Sequence, residues 1–135
     1  MINNRAVEDE LHILLIDDDP MINFLNKIII EKSNIGAKIS EITQAEHALK
    51  EISVGNLNPS LILLDLNMPV MDGWEFVEQF EKLSNRSLGA KIIILSSSIN
   101  PSDKEKASSL STISDFYSKP LSLEMIKEIK DRFVN

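Results

Sequence analysis

The sequence predicts an α/β fold, a doubly wound sheet of five parallel strands with five helices on its two faces. Three observations carry that expectation. First, Leu11-His12-Ile13-Leu14-Leu15-Ile16, Leu61-Ile62-Leu63-Leu64 and Lys91-Ile92-Ile93-Ile94-Leu95 are short, nearly unbroken apolar runs. A strand with one wet face alternates apolar and polar residues, whereas an unbroken run needs cover on both faces, as in a parallel sheet. Second, strand-like and helix-like patterns alternate along the chain. Right-handed crossovers turn that order into an open sheet with helices on each side. Third, Asp19-Pro20 and Asn100-Pro101 stand at two expected helix starts. Each pairs a side chain that caps free N–H groups with a proline that has no N–H to satisfy.

Each element follows from its own residues. Residues 11–16 make the first strand, and residues 20–33 a helix with Ile22, Leu25, Ile28 and Ile29 expected inward. Residues 37–43 alternate, with Ile39 and Ile42 between polar neighbours, as a strand nearer the sheet edge does. Residues 45–54 form a helix with Ala45, Ala48, Leu49 and Ile52 inward, before the buried strand 61–64. Residues 73–83 form a helix with Trp74, Val77 and Phe80 on one side, followed by a polar loop at 84–89 and the strand 91–95. A second polar loop, 96–100, leads to a polar and weakly stabilised helix at 101–110. A short strand at 113–118 and an amphipathic helix at 121–133, with Leu123, Ile126, Ile129 and Phe133 inward, complete the series.

Composition narrows the function. A chain of 135 residues has room for one domain. At 43% hydrophobic and 26% charged residues it has a real core and is neither disordered nor fibrous. The absence of cysteine removes disulfides, thiolate zinc sites and cysteine nucleophiles. No apolar run reaches the roughly 18 residues of a membrane span. Residues 1–10 are polar and acidic, without the basic-then-apolar order of a secretory leader. A cytoplasmic location without a membrane partner is therefore expected. A net charge of −7, from 14 basic and 21 acidic residues, argues against nucleic acid as a partner.

In open α/β sheets, ligands bind beyond the carboxyl ends of the strands. There this sequence places Asp17, Asp18 and Asp19 after the first strand, Asp65 after the third, Ser96 after the fourth, and Lys119-Pro120 after the fifth. Clustered carboxylates raise one another's pKa and call for a cation. Oxygen-only donors favour Mg²⁺, which takes one or two carboxylates and completes its shell with water and phosphate oxygens. No histidine falls in the cluster, which argues against zinc, copper or iron. A carboxylate beside Mg²⁺ and an ammonium group can attack phosphorus and become an aspartyl phosphate. His12 and His47 fall far apart in the expected fold, and Lys104 and Lys106 read as a solvated face.

The acid pair, the run Asp65-Leu66-Asn67-Met68-Pro69-Val70-Met71-Asp72-Gly73, the hydroxyl of Ser96 and the pair Lys119-Pro120 together carry a resemblance. They closely resemble the receiver domain of two-component response regulators, of the single-domain chemotaxis-regulator type, over about residues 11–133. The resemblance implies a flavodoxin-like sheet of strand order 2-1-3-4-5 and one receiver domain spanning 1–135, with no output domain attached. It implies Asp65 as phosphoacceptor, Asp18 as a direct Mg²⁺ ligand, Asp17 as a ligand through water, and the Asn67 main-chain carbonyl as a third protein ligand. Ser96 matches the switch hydroxyl, Lys119 the lysine that pairs with the phosphoryl group across a cis bond to Pro120, and Phe116 the switch aromatic. Asp19 is no ligand in this family and is assigned to capping, as Asp72 is before Gly73. The resemblance also implies that the positions of Asn67 and Ser98 tune how fast water removes the phosphoryl group. The implied donor is a histidine kinase or histidine phosphotransfer protein and the implied output an unknown protein target. The only chemistry implied is self-catalysed phosphotransfer and autodephosphorylation, so the protein is not expected to be an enzyme.

Three departures stand out: serine at 96 for the commoner threonine, a helix at 101–110 without the usual alanine-rich apolar pattern, and no glycine-alanine turn at 108–114. Two other readings compete. Asp17-Asp18-Asp19-Pro20-Met21 imitates the Asp-x-Asp motif of Mg²⁺-dependent phosphohydrolases of the haloacid-dehalogenase type. Met21, however, stands where threonine or valine belongs, and the late acid pair is missing. A flavodoxin-like cofactor binder would need a glycine-rich phosphate loop after the first strand, and the four glycines lie elsewhere.

Overall fold

The computed structural model describes residues 11–83, 89–97 and 100–133. The expected loop at 84–89 falls mostly outside the described residues, as do residues 1–10 and Ser98. Five strands are described: β1 (Leu11–Ile16), β2 (Ala37–Ile42), β3 (Leu61–Leu64), β4 (Lys91–Ser96) and β5 (Ile113–Ser118). Between and after them lie α1 (Pro20–Lys32), α2 (Ala45–Ser53), α3 (Gly73–Glu81), α4 (Pro101–Ser108) and α5 (Leu123–Phe133). All strand pairs are parallel and the order is β2-β1-β3-β4-β5. The doubly wound flavodoxin-like sheet of order 2-1-3-4-5 is thus the fold of the chain. No described helix is long and apolar enough to cross a membrane.

The two faces of the sheet separate by residue parity, since successive strand side chains point to opposite sides. Leu14, Ile16, Ile62, Leu64, Ile92 and Ile94 pack against α2, α3 and Ala107 of α4. Ile13, Leu15, Leu61, Leu63, Ile93 and Leu95 pack against Ile30 of α1 and Ile126 and Ile129 of α5. The central strands β1, β3 and β4 are buried on both faces, hence their unbroken apolar runs. The edge strands β2 and β5 are only half-buried.

Local signals fix the helix starts. Asp19 caps α1 by accepting from the Met21 N–H, and Asn100 caps α4 by accepting from the Ser102 N–H. Asp72 and Glu75 form a reciprocal capping box at the start of α3.

Two helices differ from expectation. In α1 the buried positions are Asn23, Asn26 and Ile30, while Leu25 is 48% exposed. The helix is rotated so that the Asn23 amide meets main-chain carbonyls at the ends of β1 and β2, a need that no apolar side chain can meet. The last helix starts at Leu123 rather than 121, because Ser122 caps it by accepting from the Met125 N–H. Leu121 is therefore buried ahead of the helix, and Leu123 is left exposed.

Candidate functional site

The sheet ladder runs one residue past the strands, and that extension builds the site. The Asp17 N–H donates to the Ile42 carbonyl at 3.3 Å, the Asp65 N–H to Ile16 at 3.0 Å, and the Lys119 N–H to Ser96 at 2.9 Å. The Asp17, Asp65 and Lys119 side chains thus leave from main chain already hydrogen-bonded to the neighbouring strand. Loop residues held in this way have little freedom to move.

The carboxylates converge. One oxygen from each of Asp17, Asp18 and Asp65 lies within 4.8 Å of the other two. Asp17 and Asp65 are buried, whereas Asp18 faces solvent. The Lys119 ammonium is 2.6 Å from Asp17 Oδ2 and 3.4 Å from Asp65 Oδ1. The other Asp17 oxygen accepts from the Asp19 N–H at 2.9 Å. Asp19 turns its own carboxylate to the Met21 N–H at 2.9 Å and stays a cap. The Asn67 N–H lies beside the Asp65 carboxylate and favours its charged form.

Ser96 is fully buried at the end of β4. Phe116 of β5 pairs in register with Ile94 of β4 and lies half-buried against the α2–α4 side of the core. The Lys119–Pro120 bond is cis. Gly73 serves close approach: a Cβ there would lie 2.7 Å from the Asp65 carbonyl oxygen and 2.7 Å from Leu66 Cα. The start of α3 is therefore pressed against the chain just after β3, where the Gly73 N–H donates to Leu66 at 2.9 Å.

Burial and the neighbouring Asp17 charge raise the Asp65 pKa, and the opposing pull of Lys119 and of the Asn67 N–H does not cancel them. Burial works against the Lys119 ammonium. The hydrogen bond to Asp17 and the charges of Asp65 and Asp17 outweigh it, and the net shift is upward. Lys119 therefore stays charged at neutral pH.

A divalent cation fits this donor set. Three carboxylate oxygens within 4.8 Å of one another match a hard ion bound through oxygens at about 2.0–2.1 Å, which gives trans-related oxygens roughly 4 Å apart. One ammonium leaves most of the negative charge of three carboxylates unbalanced.

One residue at the site has no counterpart in the sequence reading. Asn23, buried in α1, donates through Nδ2 to the carbonyls of Asp17 (3.1 Å) and Ile42 (3.2 Å). The sequence pattern gives it no signal, because the spacing of Ile22, Leu25, Ile28 and Ile29 puts Asn23 on the opposite, polar side of the helix.

Comparison with known proteins agrees with the geometry. The family model for the response regulator receiver domain matches residues 13–130. The crystal structure of a two-component response regulator from Cytophaga hutchinsonii is 31% identical, covers 93% of this chain and 98% of that one, and superposes with a TM-score of 0.83. The probable C4-dicarboxylate response regulator of Halalkalibacterium halodurans is 29% identical over 90% of this chain and 50% of that protein. The nitrate/nitrite response regulator of Escherichia coli is 37% identical over 67% of this chain and 40% of that protein. The chain thus spans half or less of the length of these two curated relatives. With five parallel strands in the same order and a family match over nearly all of its core, the chain belongs to the response regulator receiver domain family.

Proposed function

We propose that this protein is a phosphoacceptor of a two-component phosphorelay, acting as a single cytoplasmic receiver domain. It takes a phosphoryl group from a histidine kinase or histidine phosphotransfer protein onto Asp65 and thereby changes its affinity for a protein target. The observation that carries the reading is the Asp65 carboxylate, buried between an acid pair and the Lys119 ammonium at 3.4 Å. In the transfer, an Asp65 carboxylate oxygen forms the new bond to phosphorus, the phosphorus–nitrogen bond of the donor histidine breaks, and the freed ring nitrogen takes up a proton.

Asp17, Asp18, Asp65 and the Asn67 carbonyl would hold Mg²⁺, which supplies charge neutralisation at the phosphoryl oxygens when bound. Lys119 supplies a second positive charge to the same oxygens. Phosphoryl transfer asks the protein mainly for alignment and charge neutralisation, and these residues supply both. No turnover of a free substrate is part of this role.

Ser96 and Phe116 are read as the switch. The Ser96 hydroxyl bonds a new phosphoryl oxygen, and the half-buried Phe116 ring fills the space the hydroxyl leaves. Reversing a 1:99 equilibrium takes about 5.5 kcal/mol. Two charge-assisted hydrogen bonds, at roughly 1.5–3 kcal/mol each, supply that order of energy. The phosphohydrolase alternative needs the Asp19 carboxylate as an acid at the site, and its hydrogen bond to the Met21 N–H engages it elsewhere.

The test compares wild type with Asp65→Asn, incubated with a small-molecule phosphodonor with and without Mg²⁺. Uptake of one phosphoryl group by wild type, dependent on Mg²⁺ and lost in the variant, is the expected result. Equal uptake by both proteins, or none by wild type, overturns the proposal.

A further inference from the structure

We infer that Asn23 is a positioning residue for the Mg²⁺ site. It sets the main chain that carries Asp17 and Asp18, and so the affinity of the site for the ion. The inference rests on the reading of Asp17 and Asp18 as ligands. Asn23 sits in the first turns of α1 and is 1% exposed. Its Nδ2 makes two hydrogen bonds, to the Asp17 carbonyl at 3.1 Å and to the Ile42 carbonyl at 3.2 Å. The Ile42 carbonyl also accepts from the Asp17 N–H at 3.3 Å. One amide therefore clamps the end of β1 to the end of β2 at the point where the acid pair begins.

Stability alone does not account for this residue. Asn23 Oδ1 is buried and has no hydrogen-bond partner among the described residues. A buried acceptor left unpaired costs free energy and offsets part of what the two donated hydrogen bonds contribute. The return is local. Both ends of Asp17 are fixed: its carbonyl by Asn23, its carboxylate by the Asp19 N–H and Lys119. A peptide plane held at Asp17 fixes the direction in which Asp18, the one exposed carboxylate of the three, leaves the chain. Groups that orient metal ligands without touching the ion set affinity through that geometry.

The experiment is a calorimetric Mg²⁺ titration of wild type, Asn23→Leu and Asn23→Ser, beside urea unfolding in EDTA and amide NMR spectra of the Mg²⁺-free proteins. Asn23→Leu keeps the volume and removes both donors, while Asn23→Ser keeps one donor in a smaller side chain. The expected result is a rise in Mg²⁺ Kd of about 10–100-fold for Asn23→Leu and a smaller rise for Asn23→Ser. Unfolding in EDTA is expected to show a lower urea midpoint for Asn23→Leu, which leaves the Asp17 carbonyl without the Asn23 donor, with amide shifts concentrated at Asp17–Asp19. Should Asn23→Leu not fold, Asn23→Ser decides alone. Unchanged Mg²⁺ affinity in the folded variants overturns the inference and leaves the proposed function standing. A wild type that binds no Mg²⁺ overturns both.

Discussion

Helices α3 and α4 each follow a strand that ends in a candidate site residue, yet they are held in opposite ways. The first, after Asp65, starts with a reciprocal capping box and buries Phe76, Val77 and Phe80, with the Phe76 and Phe80 rings stacked at 5.8 Å between centroids. The second, after Ser96, buries Ala107 alone. Polar contacts hold it instead. Trp74 Nε1 donates to Asp103 at 3.1 Å, and the Lys106 ammonium lies 4.7 Å from the centre of the Trp74 ring. Just beyond the helix, Thr112 donates to Glu81 of α3 at 2.7 Å. A groove of about 590 Å³ runs between the two helices, with Trp74, Val77, Leu110 and Lys106 in its lining. Apolar burial makes α3 a fixed platform for Asp65. An element with few buried apolar side chains opens at low free energy, so α4 opens more readily than α3.

That contrast can be broken at its strong end first. Phe76→Ala empties a fully buried ring position and is expected to cost about 3–5 kcal/mol in urea unfolding. A cost below about 1 kcal/mol would show that α3 is not the platform described.

A smaller effect of opposite sign is expected at the site itself. The Asp65 pKa is raised in the folded state by burial and by Asp17. The fold therefore loses stability as pH rises through the interval between the unfolded and folded values. The penalty is complete above that interval and absent below it. Asp65→Asn removes the penalty, so at neutral pH without Mg²⁺ its Tm should exceed that of wild type by a few degrees. The difference should shrink to nothing in acid. A lower Tm at neutral pH would contradict the electrostatic reading.

The smallest global effect belongs to the strap on α4. Trp74→Phe removes the hydrogen bond to Asp103 and is expected to change unfolding free energy by about 1 kcal/mol or less. Amide hydrogen exchange in α4 should nevertheless quicken selectively, with α3 unchanged. Uniform quickening across both helices would erase the distinction between them.

How much of this was legible in the sequence depends on the range of the interaction. The central strands announce themselves because burial on two faces leaves no polar residue in Leu61-Ile62-Leu63-Leu64. The caps at Asp19, Asp72 and Asn100 are legible because a cap acts within two or three residues. The convergence of Asp17, Asp18, Asp65 and Lys119 follows from topology, since all of them stand at the carboxyl ends of parallel strands. The rotation of α1 was not legible. Its apolar spacing pointed Leu25 inward, but the partners of Asn23 are carbonyls on two other elements, one of them 19 residues away. The strap on α4 was hidden for the same reason: Asp103 is 29 residues from Trp74, and in sequence the pair is an acid on a polar helix and an aromatic at a helix start.

The central claim is that Asp65 carries the phosphoryl group, and an acyl phosphate can be trapped where it forms. Borohydride reduces an aspartyl phosphate to homoserine and leaves a free carboxylate untouched. Wild-type protein treated with a small phosphodonor and Mg²⁺, reduced, digested and sequenced by mass spectrometry should show homoserine at position 65 alone. Homoserine at 17, 18 or 19, or unmodified aspartate throughout, would contradict the account.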